Sequence, residues 1–155
     1  MIVIRKMTEY DATEVKSLSV EESQLAYVGH ISEILCDDPA TNHFHVILDN
    51  ENIVGFFIID TLYKQHYSFT LDKELGLRGF IIDKNQQGKG LGKQSVIALK
   101  PYLQLFYQKW DSIVLTVNCK NINAYKCYLT GGFTDTGQLY QEGPAGPQHI
   151  MRMNI

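Results

Sequence analysis

An α/β (α+β) fold is what this sequence predicts, with a mixed, mostly antiparallel sheet and helices on both faces. Three observations lead there. Runs rich in β-branched and apolar residues alternate with segments whose apolar residues recur at helical spacing. Asp49-Asn50-Glu51-Asn52 and Gly143-Pro144-Ala145-Gly146-Pro147 are turns of the kind that join antiparallel strands. Ile53-Val54-Gly55-Phe56-Phe57-Ile58-Ile59-Asp60 is apolar at nearly every position, as a central strand covered on both faces would be.

Residues 2–5 form a short first strand. Thr8-Glu9-Tyr10-Asp11 then offers a cap and a first-turn acid for a helix carrying Val15 and Leu18. A second helix is expected over about 21–35, where Leu25, Val28, Ile31 and Leu35 recur at helical spacing before Cys36-Asp37-Asp38-Pro39 ends it. Residues 43–48 and 53–61 are paired strands. The aromatic-rich stretch 63–72 has no clear period and reads as an irregular loop or a short helix. Residues 75–83 form a strand in which Gly76 and Gly79 are bulge positions. A long helix follows, with Leu91, Ser95, Ala98, Leu99, Tyr102, Leu103 and Phe106 on one stripe, and Pro101 inside it predicts a kink or two helical pieces. A strand at 112–117, a helix at 121–130 stopped by Gly131-Gly132, and strands at 133–140 and 148–153 complete the chain.

At 155 residues, 45% hydrophobic and 20% charged, the chain suits one domain spanning 1–155 with a single real core. The net charge of -3 leaves no basic field to hold nucleic acid or an anionic membrane, and a cationic acceptor suits it better. No signal-like start and no bilayer-length apolar run is present, so a cytoplasmic protein is expected. Cys36, Cys119 and Cys127 are odd in number and form no C-x-x-C pair, which reads as reduced thiols. His43 and His45 fall on one strand face, but a metal would need further ligands, so they read as ordinary strand histidines and no metal is expected.

The stretch 79–94 runs from an apolar strand through a glycine-rich turn into a helix. Its backbone N–H groups, at the positive end of a helix, suit the diphosphate of a cofactor. Lys93 breaks the G-x-G-x-x-G dinucleotide fingerprint, and the nucleotide P-loop spacing fails too. What remains is Gln-x-x-Gly-x-Gly at Gln87, Gly90 and Gly92, which resembles the acetyl-coenzyme A pyrophosphate loop of the GNAT superfamily of N-acetyltransferases. A second segment, Asn121-x-x-Ala124-x-x-x-Tyr128-x-x-x-Gly132-Phe133, resembles that superfamily's other signature, and the order of elements along the whole chain is similar to its order.

The resemblance implies a sheet splayed between the fourth and fifth strands. It implies that Gln87, Gly88, Lys89, Gly90, Leu91, Gly92 and Lys93 wrap the pyrophosphate, mainly through backbone N–H groups. Phe80, Ile81 and Ile82 would pair along the pantetheine arm like an added strand. Gly79 would be a bulge turning an N–H towards the thioester oxygen. Asn121, with Ala124 beside it, would contact the cofactor or line the splay. Tyr128 matches the tyrosine that protonates the departing thiolate, the plainer alternative being a core tyrosine on the helix face.

The acceptor is less sharply drawn. Arg78-Gly79 stands where vertebrate-type spermidine/spermine acetyltransferases carry an acidic pair. The segment 20–28 is similar to a helix of small bacterial polyamine acetyltransferases, which makes Gln24 and Tyr27 candidates for lining the acceptor cleft. Glu21, Glu22, Glu33, Asp37 and Asp38 would make its mouth acidic, and Glu74 and Glu142 are candidate bases. The resemblance thus implies direct acetyl transfer to a primary amine, a polyamine first and a protein N-terminus or lysine behind it. An acetyl-cysteine route through Cys119 or Cys127 lacks a neighbouring base. A cofactor-binding sensor without catalysis is the reading from another class, and a homodimer is an arrangement the family often adopts.

Overall fold

β-Branched and aromatic runs supply the strands β1 (Ile2–Lys6), β2 (Asn42–Asp49), β3 (Asn52–Asp60), β4 (Glu74–Ile82), β5 (Ser112–Asn118), β6 (Thr134–Tyr140) and β7 (Gln148–Asn154). They make one sheet in the order β1-β2-β3-β4-β5-β7-β6, antiparallel at every neighbouring pair except β4 and β5. The computed structural model describes residues 1–20 and 30–155. Gln24, Tyr27, Glu21 and Glu22 lie outside the described residues, as does most of the helix expected over 21–35.

The described helices are α1 (Ala12–Lys16), α2 (Ile31–Ile34), α3 (Tyr63–His66), α4 (Leu91–Phe106) and α5 (Ile122–Gly131). The period-2 alternation of β3 divides the core between them. Phe56 and Ile58 pack with Val15, Leu18 and Ile31 on the α1–α2 face. Phe57 and Ile59 join Val96, Leu99 and Leu103 on the α4–α5 face. The sheet is therefore covered on both sides, as the apolar run of β3 demands.

The β2–β3 hairpin closes through Asn50 and Glu51 alone, since Asp49 pairs with Asn52. Both turn residues have positive φ, 48° and 74°, the two-residue geometry that matches the twist of the strands. The aromatic stretch after β3 opens with the short helix α3. Pro101 sits inside α4 without dividing it, so of the expected kink or two pieces the second does not form. Ile97, whose carbonyl loses its i+4 donor at Pro101, lies on the exposed side of the helix. Phe106, expected on the buried stripe, is exposed, while Val96 is buried in its stead.

Gly76 and Gly79 serve different ends. Gly76 pairs regularly with Asp60 and Val114, so it is no bulge. It is bare because a Cβ there would lie 2.1 Å from the Tyr63 ring. Gly79 is the bulge: Phe56 pairs with Ile81 and Ile58 with Arg78, leaving Gly79 and Phe80 opposite Phe57 alone. Its φ of +62° is one that a side chain would strain.

His45 is fully buried, stacked on Phe57 at 4.8 Å, with Nδ1 against the His43 carbonyl at 2.8 Å. Nε2 has no partner among the described residues. Burial lowers its pKa from 6.5 to about 4, because a charged ring there would be desolvated. The folded state thus refuses a proton that the unfolded chain takes. Stability is fully present above about pH 6.5 and declines as pH falls towards 4, by at most about 3 kcal/mol. His43, lowered in the same direction by burial, adds to this window. Urea unfolding at pH 7 and pH 5 is expected to show the loss, and His45→Phe to remove most of its pH dependence. A variant with the same slope as the native chain would assign the effect elsewhere.

Candidate active site

β4 and β5 pair only at Glu74–Ser112, Leu75–Ile113 and Gly76–Val114, and then part. The closed end is held by a buried carboxylate. Glu74 accepts from Ser112 Oγ at 2.6 Å, from Arg152 Nε at 2.6 Å and Nη2 at 3.0 Å, and from the Leu71 N–H at 3.0 Å. Beyond Gly76 the β4 edge that faces β5 has no strand partner, and a cavity of about 800 Å³ opens along it. An unpaired edge offers N–H and C=O groups to an extended ligand.

Leu77 to Ile82 line one wall of this cavity, and Asn121, Ala124, Cys127 and Tyr128 of the α5 segment line another. Phe80, Ile81 and Ile82 are all on the wall. Ile81 turns its side chain into the α1–α2 core, so it contributes backbone. The β6–β7 loop closes over the cavity with Pro144 and Ala145, tied down by Asn118 Nδ2 donating to the Ala145 carbonyl at 2.9 Å.

Past Ile82 the chain makes the glycine-rich turn. Gly88 and Gly90 have positive φ, 83° and 76°, and Gly90 caps α4. The first helical bond runs from the Gln94 N–H to the Gly90 carbonyl. Among the described residues, none of the backbone N–H groups of Gly88, Lys89, Gly90, Leu91, Gly92 and Lys93 has a protein acceptor. These six free donors lie at the positive end of a 16-residue helix, and five of their residues line the cavity, a cradle suited to an anion. Gln87, Gly88, Gly90, Leu91, Gly92 and Lys93 are on the wall. Lys89 is not, and its ammonium donates to Gln86 Oε1 at 2.9 Å.

Asn121 caps α5, with Oδ1 accepting from the Ala124 N–H at 3.4 Å. That cap fixes the first turn of the helix whose second turn carries Tyr128. Tyr128 is 8% exposed, its ring edge-on to Phe80 at 5.9 Å and Phe133 at 5.6 Å. Its hydroxyl has no hydrogen-bond partner among the described residues, although the residue lines the cavity. Burial raises its pKa well above that of a free phenol, so it stays protonated at neutral pH. The Cys127 thiol is also raised by burial, which opposes the thiolate a nucleophile needs.

The other end of the cavity is lined by Val20, Ile34, Tyr63, Tyr67 and Arg78. Arg78 is tied down on several sides. Its Nε donates to Asp60 at 3.3 Å, and Nη2 donates to Asp37 and Asn42, each at 2.6 Å. Two carboxylates thus face one guanidinium, and the cluster carries a surplus negative charge. Arg78 therefore presents no bare cation to repel an amine.

The profile described as "Acetyltransferase (GNAT) family" matches residues 7–133. The chain belongs to the GNAT family of acetyltransferases. It is 29% identical over 141 residues to a protein named probable spermine N(1)-acetyltransferase of Bacillus subtilis subsp. natto (strain BEST195), covering 89% of this chain and 91% of that one. Among solved structures, aminoglycoside acetyltransferase AAC(6')-Ib in complex with coenzyme A superposes with a TM-score of 0.80 at 19% identity, over 99% of this chain and 95% of that one. Spermidine N-acetyltransferase from Vibrio cholerae in complex with CoA and spermine superposes at 0.74 and 18%, again over 99% and 95%.

As a GNAT enzyme the chain takes its acetyl group from acetyl-coenzyme A, and the residues present fit that donor. The cradle suits a pyrophosphate, and the unpaired β4 edge suits the amides of a pantetheine arm. No group of three or more His, Cys, Asp or Glu is placed to hold a metal among the described residues, and no described helix is long and apolar enough to cross a membrane. Glu74 is consumed by Arg152 and Ser112 at the closed end, and Glu142 is off the cavity wall. Sequence reasoning missed Tyr63, Tyr67, Thr116, Asn118 and Lys126 on the wall. The i, i+4 spacing of Tyr63 and Tyr67 was the available signal for one helical turn, but that turn is too short to show a period.

Proposed function

We propose that the enzyme transfers acetyl directly from acetyl-coenzyme A to a primary amine of a polyamine. The observation that carries this reading is the alignment of three features along one cavity: the six-donor cradle, the open β4 edge with its Gly79 bulge, and the unpartnered Tyr128 hydroxyl. Acetyl-coenzyme A supplies an activated acetyl thioester. The cradle N–H groups from Gly88 to Lys93 hold its diphosphate, and the edge of Phe80, Ile81 and Ile82 aligns its arm. Asn121 holds the first turn of α5 and, with Ala124, lines the opposite wall. The Gly79–Phe80 bulge orients a backbone donor for the oxygen on which charge develops during attack. Tyr128 donates to the leaving sulfur as the C–S bond breaks. The attacking nitrogen sheds its proton to solvent, since no carboxylate on the described wall is free to act as base.

Relatives named for spermine or spermidine N(1)-acetylation support the polyamine acceptor, as does the carboxylate surplus around Arg78. Gln24 and Tyr27, through their similarity to polyamine acetyltransferases, are proposed for the same cleft. Release of free thiol from acetyl-coenzyme A, followed with spermidine, spermine, an aminoglycoside and a lysine peptide in turn, tests the reading. Spermidine or spermine is expected to give the highest kcat/KM. Turnover led by another amine would overturn the polyamine assignment, and tight cofactor binding with no turnover on any amine would leave a sensor.

A further inference from the structure

The end of the cavity remote from the cradle is where an acceptor must enter. A donor whose diphosphate lies at residues 88–93 and whose arm follows β4 back from Ile82 brings its thioester to the Gly79 bulge, leaving the Tyr63–Tyr67–Arg78 end free. This inference rests on the proposed transferase reading. Two features of that end are unexplained by acetyl transfer alone.

The first is the charge. An amine attacks only as the neutral base, and a carboxylate surplus beside it raises its pKa and opposes deprotonation. Placed at the reacting nitrogen, Asp37 and Asp60 would be a hindrance. They favour an acceptor only if it carries another nitrogen that remains an ammonium. Asp60 is in register with Gly76, three residues along β4 from Gly79, on the order of 10 Å away. Asp60 is thus set back from the reacting centre along the strand.

The second is Tyr67. It is half-buried on the cavity wall, stacked on Tyr63 at 4.4 Å and braced by Tyr140 at 5.3 Å and Phe69 at 5.5 Å. Tyr63 in turn is seated on the bare Gly76 backbone. Three rings fix one phenol whose hydroxyl has no hydrogen-bond partner among the described residues. A ring held in place beside a cavity is a ready seat for a methylene chain ending in an ammonium.

We propose that Tyr67 selects the acceptor: its ring receives the alkyl chain and the second, unreacting ammonium of a diamine or longer polyamine, while the Asp60–Arg78–Asp37 cluster supplies the compensating charge. The requirement is for two amines on one flexible chain.

Steady-state kinetics of the full chain with acetyl-coenzyme A and three acceptors, n-butylamine, 1,4-diaminobutane and spermidine, test this in the native protein and in Tyr67→Leu and Tyr67→Trp. The native enzyme is expected to prefer the diamine and spermidine over n-butylamine by about 10-fold or more in kcat/KM. Tyr67→Leu is expected to raise KM for spermidine about 10-fold, with kcat and the KM for acetyl-coenzyme A nearly unchanged, and to leave n-butylamine where it was. Tyr67→Trp keeps the cation-binding face and is expected to retain the preference, which also covers a Leu variant that fails to bind acetyl-coenzyme A. Loss of the preference in Trp as in Leu, or its survival in Leu, overturns the role of Tyr67. Equal use of n-butylamine and spermidine by the native enzyme overturns the two-amine requirement while leaving the transferase intact. No turnover on any amine refutes the transferase reading itself.

Discussion

Replacing Tyr128 by Phe is expected to lower kcat by about 100-fold or more, within the range ascribed to a positioned acid, while acetyl-coenzyme A binds nearly as before. The ring makes the packing contacts, edge-on to Phe80 and Phe133, and Phe keeps them. Only the hydroxyl is lost, and it supports nothing in the folded protein because no described residue bonds to it. Burial makes this phenol a weaker acid than in water, so complete proton transfer ahead of C–S cleavage is disfavoured. Under the proposed mechanism the hydroxyl contributes a hydrogen bond to sulfur as charge develops there, from a residue only 8% exposed. Because the group stays protonated through the neutral range, no ionisation of Tyr128 is expected in the kcat profile between pH 6 and pH 9. Stopped assays with the best amine, beside a direct measurement of acetyl-coenzyme A affinity, decide the matter. Turnover in the Phe variant within about 3-fold of native would remove the hydroxyl from the chemistry, well short of the effect of a positioned acid.

Glu74→Ala is expected to be the most destabilising single change at the site's foundation, by about 3–5 kcal/mol. The carboxylate is fully buried and binds Arg152 through two nitrogens, the Ser112 hydroxyl and the Leu71 N–H. Truncation leaves the half-buried Arg152 guanidinium without its counter-charge, which costs more than the bonds themselves. It also releases the clamp holding β4, β5 and β7 together where the splay begins. For a domain of this size the melting temperature is expected to fall by about 10 °C. Glu74→Leu combined with Arg152→Leu removes the charge mismatch and is expected to recover a large part of the loss. If Glu74→Ala unfolds within about 1 kcal/mol of native, the pair is not what holds the closed end. If the double variant is no better than the single, burial of an unpaired charge is not the cause.

The two predictions draw on different ends of β4, and only one of those ends was visible before the fold. Tyr128 was named from its place in the segment Asn121-x-x-Ala124-x-x-x-Tyr128-x-x-x-Gly132-Phe133. Glu74 was named as a base, and the structure assigns it to an ion pair instead. The partner that claims it, Arg152, lies 78 positions away. Arg78 shows the same limit. In the sequence it is an unexplained cation beside the bulge, whereas in the fold it is held by Asp60, Asp37 and Asn42 from three other segments.

Local chemistry decided what the sequence alone could reveal. A glycine that needs positive φ, a helix start with free N–H groups and a continuous apolar run all act within a few residues, so the glycine-rich anion turn, the Gly79 bulge and the double-sided burial of β3 were readable along the chain. Tertiary structure alone decided the rest: which carboxylates are spent in ion pairs, why Gly76 is bare, and which rings line the cavity. Those outcomes depend on residues distant in sequence coming within a few ångströms of each other across the sheet. At that range charge neutralisation and ring packing overrule what any single segment suggests.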